Sequence, residues 1–310
     1  MLIDDSYLEG TETFTLTLSN PSGAQLGANS TATITITDNE IATGPNPIDT
    51  ADFFVRQHYL DFFTREPDAP GLAFWISNIT SCGVDPQCTE VLRNNVSGSF
   101  YLSIEFQQTG YLVERMYKAA YGDATGTSTI GGTHTLPVPI VRFDELLADT
   151  QQIGFGVVVN QTGWEQVLEN NKVTFTNDFA QRTRFTTAFP LSMTPTQFVD
   201  QLNTNAGNPL STAERNQLIA DLTGGTKTRG QVVRAVAEDS DLASAEFNRA
   251  FVLMQYFGYL RRNPNDAPDA DHSGFDFWLT KLNQFNGDFI RAEMVKAFIS
   301  STEYRQRFGP

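Results

Sequence analysis

The sequence predicts an α+β protein in which a short antiparallel β segment precedes a mainly α-helical body. Near the N-terminus, threonine alternates with apolar residues, which is the period of half-buried strands. From residue 52 onward, apolar residues recur at helical spacing. A similar helical pattern occurs more than once along the chain. We therefore expect part of a β-sandwich followed by four degenerate helical units.

The charge balance excludes two classes of partner. The 310 residues contain 36 Asp and Glu against 21 Lys and Arg, which gives a formal net charge of -15. Such a surface repels the phosphates of nucleic acids and of anionic membranes, so we expect neither as a partner. No run of apolar residues is long enough to span a bilayer. Clustered carboxylates are compatible with bound Ca²⁺.

The β segment consists of two alternating stretches, residues 13–19 and 31–37, joined by a turn-rich connection. Two strands cannot bury their shared apolar face, and an isolated hairpin is marginally stable. We therefore expect residues 1–40 to need further strands. An upstream β-domain or another copy of the chain would supply them.

The segment "IDDSYLEGTETFTLTLSNPSGAQLG", followed by "ATITITDNE", resembles the C-terminal part of a Calx-beta domain, an Ig-like sandwich. In that family, acidic residues at one end of the sandwich hold Ca²⁺. Asn39 departs from the family pattern, because its amide oxygen carries no charge. The resemblance implies a calcium site made by Asp4, Asp5, Glu9, Glu12, Asp38, Asn39 and Glu40.

The helical body is divided by its internal repeats. We place a Gly/Pro-containing linker at 41–51 and the units at 52–110, 111–195, 196–247 and 248–310. Each unit has an opening helix, a variable middle and a closing helix. Units one and four are the best preserved. Their equivalent residues are Tyr59 with Tyr256, Arg65 with Arg262, Gly71 with Gly274, Trp75 with Trp278, Ser103 with Ser301, and Glu105 with Glu303.

This plan resembles the bacterial extracellular family called domain of unknown function 4214, over about residues 52–309. The shared signature is Arg-x-Pro-Asp-x-x-Gly-hydrophobic-x-aromatic-Trp, followed later by Ser-x-Glu-Tyr/Phe. The resemblance implies a bacterial surface or extracellular setting and no established activity.

We expect the glycines and aspartates of this signature to shape the start of the second helix. Gly71 and Gly274 would permit a tight entry into that helix. Asp68 and Asp271 precede these glycines by three residues, so each could cap the free N–H groups of the helix.

The other signature residues are also expected to be structural. Trp75 and Trp278 carry the largest apolar surface of their units and are expected in the core. Arg65 and Arg262 would bind carbonyl groups at the end of the opening helix or pair with nearby acids.

Cys82 and Cys88 lie in "SCGVDPQC", where Gly83 and Pro86 favour a turn that brings the sulfurs together. A zinc pair is the alternative, but no second Cys or His pair accompanies them. We expect a disulfide, hence an oxidising compartment and an extracellular or cell-surface location.

The stretch "DADHSG" offers a second candidate calcium site. Asp269, Asp271, Ser273 and Gly274 match positions one, three, five and six of an EF-hand-like loop. Thr280 stands where the bidentate acid would be. The alternative is a capped turn without metal.

No pattern in the sequence predicts catalysis. Nucleophile-elbow, Walker and dinucleotide-binding motifs are missing, and His58, His134 and His272 have no metal-ligand spacing. We therefore expect a non-catalytic extracellular structural or adhesion module, to which bound Ca²⁺ would add stability. One alternative is a filament subunit that assembles by strand complementation between chains. The other is a carbohydrate-binding or carbohydrate-active accessory protein, with cell-surface glycans as partners.

Overall fold

The computed structural model describes residues 12–18, 23, 25, 27, 30–37 and 45–309. It confirms an α+β protein with a helical body and two small antiparallel sheets. The strands are β1 (Glu12–Thr17), β2 (Thr31–Ile36), β3 (Asp123–Ser128) and β4 (His134–Pro139). The helices of units one and two are α1 (Ala51–His58), α2 (Ala69–Thr80), α3 (Pro86–Leu102), α4 (Ile104–Gln108), α5 (Gly110–Tyr121), α6 (Phe143–Gly154), α7 (Trp164–Phe179) and α8 (Thr183–Ala188). The later helices are α9 (Pro195–Asn205), α10 (Thr212–Thr223), α11 (Arg229–Ala237), α12 (Ser240–Gln255), α13 (Ser273–Gln284), α14 (Met294–Ile299) and α15 (Thr302–Arg305).

Strands β1 and β2 form the hairpin that the alternating pattern predicts. Their antiparallel register places Phe14 opposite Ile34 and Leu16 opposite Ala32. These apolar residues share one face of the hairpin, because side chains two apart in a strand point the same way. That face is open: Phe14 is 43% exposed, Leu16 57% and Leu18 67%.

The opening helices of units one and four end in the same unusual way. Helix α1 continues as a π-helical turn, Tyr59–Phe63, and stops at Thr64 with φ 54°. Helix α12 continues as a π-helical turn, Tyr256–Leu260, and stops at Arg261 with φ 55°. A π turn inserts a residue into the helical repeat and is rare. Its recurrence at aligned positions supports the equivalence of the two units.

Units one and four pack against each other through these π turns. Gly258 lies directly on the ring of Phe62, where a Cβ atom would collide with the aromatic carbons. Arg307, after α15, donates from both Nη atoms to the carboxylate of Asp61 at 2.9 and 2.8 Å. Asp61 is 8% exposed, so this ion pair crosses the interface in a desolvated place.

Helix α5 opens unit two. It packs on α9, α11 and α12, which lie later in the chain. A buried polar contact holds unit two together: Arg182 donates to both oxygens of Asp149 at 2.7 and 2.6 Å, and Tyr117 donates to Asp149 at 3.0 Å. The expected boundary between units three and four, 247/248, falls inside helix α12. The units are thus continuous in secondary structure at that point.

The β3–β4 hairpin was not expected from the sequence. The Gly-rich stretch at residues 129–133 is a loop, as expected, but it joins two paired strands. The hairpin docks on helix α13 and the residue before it. The Ser128 hydroxyl donates to Asp276 at 2.6 Å, and the N–H of His272 donates to the carbonyl of Thr127 at 2.8 Å. The hairpin therefore joins unit two to unit four.

The two ends of the helical body are tied together. The side-chain amide of Asn46 donates to the backbone carbonyls of Arg305 and Gly309 at 2.9 and 3.1 Å. Arg305 also donates to both carboxylate oxygens of Asp49, at 2.6 and 2.9 Å. The segment before α1 is thereby fastened to the segment after α14.

Candidate functional site

An arginine–carboxylate clamp closes each of the two preserved units. Arg65 donates from Nε and Nη2 to the two carboxylate oxygens of Glu105, each at 2.8 Å. Arg262 holds Glu303 in the same way, with an Nη2 to Oε2 distance of 3.0 Å. A planar guanidinium fits two carboxylate oxygens, which gives a strong and directional contact. Each clamp fastens the end of the opening helix to the closing helix.

The serines of the closing Ser-x-Glu motif cap the helices that carry the glutamates. Ser103 accepts the N–H of Phe106 at 3.1 Å, and Ser301 accepts the N–H of Tyr304 at 3.1 Å. An N-cap hydroxyl satisfies an N–H that has no partner within the helix. The motif thus starts the short helix and places its carboxylate toward the arginine.

The two signature glycines lie under tyrosine hydroxyls. A Cβ atom on Gly71 would collide with the hydroxyl oxygen of Tyr59, and one on Gly274 would collide with that of Tyr256. Neither glycine is among those with positive φ. Close approach of a side chain, rather than backbone freedom, therefore explains the requirement for glycine.

The signature aspartate caps the second helix in unit one, whereas in unit four it closes a turn just before that helix, whose N-cap residue is His272. Asp68 accepts the N–H of Gly71 at 2.9 Å, as expected. In unit four, Asp271 accepts the N–H of Ser273 at 2.8 Å, one residue earlier than expected.

The carboxylates of the candidate calcium loop serve the fold. Asp269 accepts a hydrogen bond from Nη2 of Arg262 at 2.8 Å, so a positive charge already lies beside it. Ser273 Oγ accepts the N–H of Thr129 at 2.9 Å. In the described part of the chain, no group of three or more His, Cys, Asp or Glu side chains is arranged to hold a metal ion. The contacts match the capped-turn alternative, and calcium at this loop stays a prediction.

Trp75 and Trp278 lie at the edge of the core and not at its centre. Both are half-buried, and their rings lie 5.8 Å from Phe100 and 5.6 Å from Phe298. Smaller aromatic residues fill the centre. The fully buried rings at the centre are those of Phe62, Tyr101 and Tyr259.

A cleft of about 470 Å³ opens beside the signature residues of unit one. Its aromatic lining is Tyr59, Phe63, Phe74, Trp75 and Phe100. Its polar lining is Arg65, Asp68, Ser99, Ser103, Glu105 and Asn160. Val159 and Asn160 come from the loop between α6 and α7, so unit two completes the cleft. This is the candidate functional site.

Burial sets the electrostatics of the cleft. It raises the pKa of Glu105, although the hydrogen bond and the charge of Arg65 act in the opposite direction. It also raises the pKa of Tyr59, with a further contribution from the negative charge of Asp68. Arg65 is held between Glu105 at 2.8 Å and Asp68 at 3.9 Å. The charge of Arg65 is thereby balanced by carboxylates of the protein itself.

Cys82 and Cys88 form a disulfide, which confirms the prediction. Their Cα atoms are 5.5 Å apart, and the bridge closes the turn between α2 and α3. Asp85 begins α3 within this ring by accepting the N–H groups of Gln87 and Cys88 at 3.0 and 3.2 Å.

His58 belongs to a buried hydrogen-bond chain that the sequence did not predict. Its Nδ1 lies 2.7 Å from the carbonyl of Phe54 and its Nε2 lies 2.6 Å from the hydroxyl of Ser97, which in turn contacts the hydroxyl of Tyr259. Burial lowers the pKa of His58 to about 4. Ser97 is fully buried, so no substrate could reach this serine–histidine pair. These hydrogen bonds instead connect unit one to unit four.

Glu114 is a second buried group that sequence reasoning missed. It is 1% exposed, and its Oε2 has no hydrogen-bond partner among the described residues. Burial and the nearby charge of Glu246 raise its pKa to about 8, against the opposing charges of Arg115, Arg249 and Lys118. The only hint in the sequence is that Glu114 and Lys118 are four residues apart within a largely apolar helix.

The candidate calcium ligands of the β segment lie almost entirely outside the described residues. Asp4, Asp5, Glu9, Asp38, Asn39 and Glu40 lie outside the described residues, and Glu12 is described only as the first residue of β1. In the described part of the chain, every helix is too short or too polar to cross a bilayer. No family model, curated protein or solved structure matches the chain.

Proposed function

We propose that the chain is a non-catalytic extracellular module that serves structure and adhesion at a bacterial surface or in a matrix. The observation that carries the proposal is the exposed apolar face of the β1–β2 hairpin. Phe14, Leu16 and Leu18 are large side chains, and each gains about 1.5–3 kcal/mol only when it is covered. A folded protein rarely leaves such a face open unless it is used for contact.

The contacts within the helical body support the structural part of this proposal. The residues shared by units one and four act in clamps, caps and close packing, as Arg65, Glu105 and Gly71 illustrate. The Cys82–Cys88 disulfide agrees with an oxidising compartment, which is the environment outside the cell.

The same hairpin favours a more specific second candidate, a filament subunit. Among the described residues the sheet has only these two strands, so each edge could accept a further strand from another copy or an upstream β-domain. Addition of the same type from copy to copy is heterologous and generates open assemblies. Calcium at the acidic residues of the β segment would strengthen this contact by neutralising their mutual repulsion.

Sedimentation velocity of the full chain at increasing concentration tests both candidates. We expect concentration-dependent assemblies that Leu16→Lys disperses, because a buried lysine ammonium would be unpaired. The matched control is Leu191→Lys on the helical body, where Leu191 is 88% exposed. It should leave assembly unchanged. Deletion of residues 1–40 should abolish assembly while the helical body keeps its circular dichroism.

Three outcomes would count against these proposals. A wild-type chain that stays monomeric at all concentrations would contradict self-assembly. Equal effects of Leu16→Lys and Leu191→Lys would mean that general surface charge, and not the hairpin, controls association. Assembly that is unchanged by a calcium chelator would remove the metal from the proposal.

A further inference from the structure

We propose that the cleft of unit one binds a neutral saccharide. This goes beyond the structural function above and does not depend on it. The cleft has a continuous aromatic wall: Tyr59 lies 5.1 Å from Phe100, which lies 5.8 Å from Trp75, which lies 4.9 Å from Phe74, as ring centroids. Its volume of about 470 Å³ is within the range of small-molecule sites.

A cationic ligand does not fit this wall. Arg65 already occupies the cation–π position, since its guanidinium carbon lies 5.0 Å from the ring centre of Tyr59 and 5.5 Å from that of Phe63. An incoming ammonium group would therefore find the faces of these two rings already occupied.

An anionic ligand is disfavoured as well. Arg65 is engaged by Glu105, and Asp68 adds a second carboxylate at 3.9 Å. The arginine thus has no unopposed charge for a phosphate or carboxylate ligand. The net charge of -15 acts in the same direction over the whole surface.

The polar end of the cleft is rich in acceptors. The carboxylate oxygens of Glu105 and Asp68 accept hydrogen bonds from Arg65 and from the N–H of Gly71. The hydroxyl of Ser99 donates to a backbone carbonyl at 2.8 Å, so its lone pairs remain for a ligand. Ser103 Oγ donates to a carbonyl at 2.8 Å and accepts the N–H of Phe106 at 3.1 Å, so one lone pair remains. An aliphatic side chain would make no use of these remaining acceptor positions. A ligand with one apolar face and several hydroxyl donors satisfies both ends of the cleft, which is the chemistry of a sugar ring.

Unit four supplies an internal control. Phe74 at the rim of the cleft is 57% exposed, and the equivalent Phe277 is 44% exposed. Each ring packs edge-on against the following tryptophan, at 4.9 and 5.0 Å. Their surroundings differ because the segment between arginine and glycine is longer in unit four, from Arg262 to Gly274. Phe74→Ala and Phe277→Ala are thus comparable truncations, and only the first lies in the cleft.

The test is titration of the full chain with maltose, cellobiose and N,N′-diacetylchitobiose, followed by calorimetry and by NMR of the indole N–H signals. The chain has three tryptophans, so the signals can be assigned by substitution. We expect at least one sugar to bind with a Kd on the order of 1 mM and to shift the Trp75 signal selectively. Phe74→Ala should weaken binding about tenfold, and Phe277→Ala should leave it unchanged.

Several results would overturn the inference. One is that none of the three sugars shifts the Trp75 signal at concentrations about tenfold above that Kd. Another is that the two phenylalanine variants weaken binding equally. A third is that tetramethylammonium or an apolar peptide shifts the Trp75 signal while the sugars do not. The NMR measurement on the wild-type chain decides the matter even if a variant is poorly folded.

Discussion

At the scale of single residues, the molecule shows why a short motif can keep a glycine without a special backbone angle. Gly71 and Gly274 are needed because a tyrosine hydroxyl takes the space of a Cβ atom. The tyrosine is twelve or more residues earlier in the chain, so the two positions are linked only through the fold. The sequence repeat predicted that the two glycines are equivalent. It did not predict the contact with a tyrosine hydroxyl that requires a glycine at each position.

We expect Gly71→Ala to lower the free energy of unfolding by about 1–3 kcal/mol, because the methyl group must displace the Tyr59 hydroxyl. Urea denaturation measures this. Tyr59→Phe in the Gly71→Ala background should recover part of the loss, since the clashing oxygen is gone. Gly154→Ala is the control, because the nearest atom to its new Cβ would be Thr109 Cγ2 at 3.9 Å. A loss equal to that of Gly71→Ala at this position would contradict the argument.

At the scale of elements, the two clamps show how one motif serves two environments. The Glu105 side chain is 6% exposed, and within the described part of the chain its charged partner is Arg65. The Glu303 side chain is 34% exposed, and Arg262 is shared with Asp269. The glutamate of the pair is therefore more buried in unit one than in unit four, whereas the arginines are similarly buried, at 19% and 12% exposed.

Glu105→Gln should therefore destabilise the protein more than Glu303→Gln. The first change leaves Arg65 without its buried charge partner, at a cost of about 3–5 kcal/mol. In the second, Arg262 keeps Asp269 at 2.8 Å. Denaturation of both variants, with Glu66→Gln as an exposed control, checks this order. Glu66 is 56% exposed in its pair with Arg56, so its loss should cost less than about 1 kcal/mol. An equal cost for Glu105→Gln and Glu303→Gln would show that burial does not set the strength of the clamp.

Elements with regular periods were the ones that the sequence could predict. The Thr/apolar alternation gives β1 and β2, and the helical spacing gives α1 and α12. The β3–β4 hairpin was missed because Gly126 and Pro137 interrupt the pattern and few apolar residues alternate. The cleft was also missed, because Asn160 reaches it from another unit and no local pattern shows which segments meet.

At the scale of the whole molecule, stability depends on charges buried between units. Glu114 on α5 lies near Glu246 on α12, and Lys118 donates to Asp123 on β3 at 2.7 Å. Arg249 donates to the same aspartate at 2.7 Å. This cluster joins unit two to the helix shared by units three and four. The protonation state of this cluster therefore affects how the units of the helical body pack together.

We expect the free energy of unfolding to fall as the pH rises from about 4.5 to about 8 through the contribution of Glu114. In that window the unfolded carboxyl is ionised while the folded one keeps its proton, so raising the pH favours unfolding. For this one group, the free energy of unfolding falls by at most about 1.4 kcal/mol for each pH unit in the window. Glu114→Gln should flatten this dependence, as measured by urea denaturation at several pH values.

Glu90→Gln provides the control, because Glu90 is 55% exposed in its ion pair with Lys296. It should leave the alkaline decline as it is in the wild type. A wild-type stability that rises steadily between these pH values, with no change in slope on Glu114→Gln, would contradict a protonated Glu114 in the folded state.

The fastening of Asn46 to Arg305 and Gly309 has a mechanical consequence. A pulling force applied across the body at these two places would act first on the Asn46 hydrogen bonds and the Asp49–Arg305 ion pair. The interfaces between the units would bear little of this force until those contacts break. Under tension the helical body would therefore carry little of the force at first, and it would begin to extend only after these local contacts had broken.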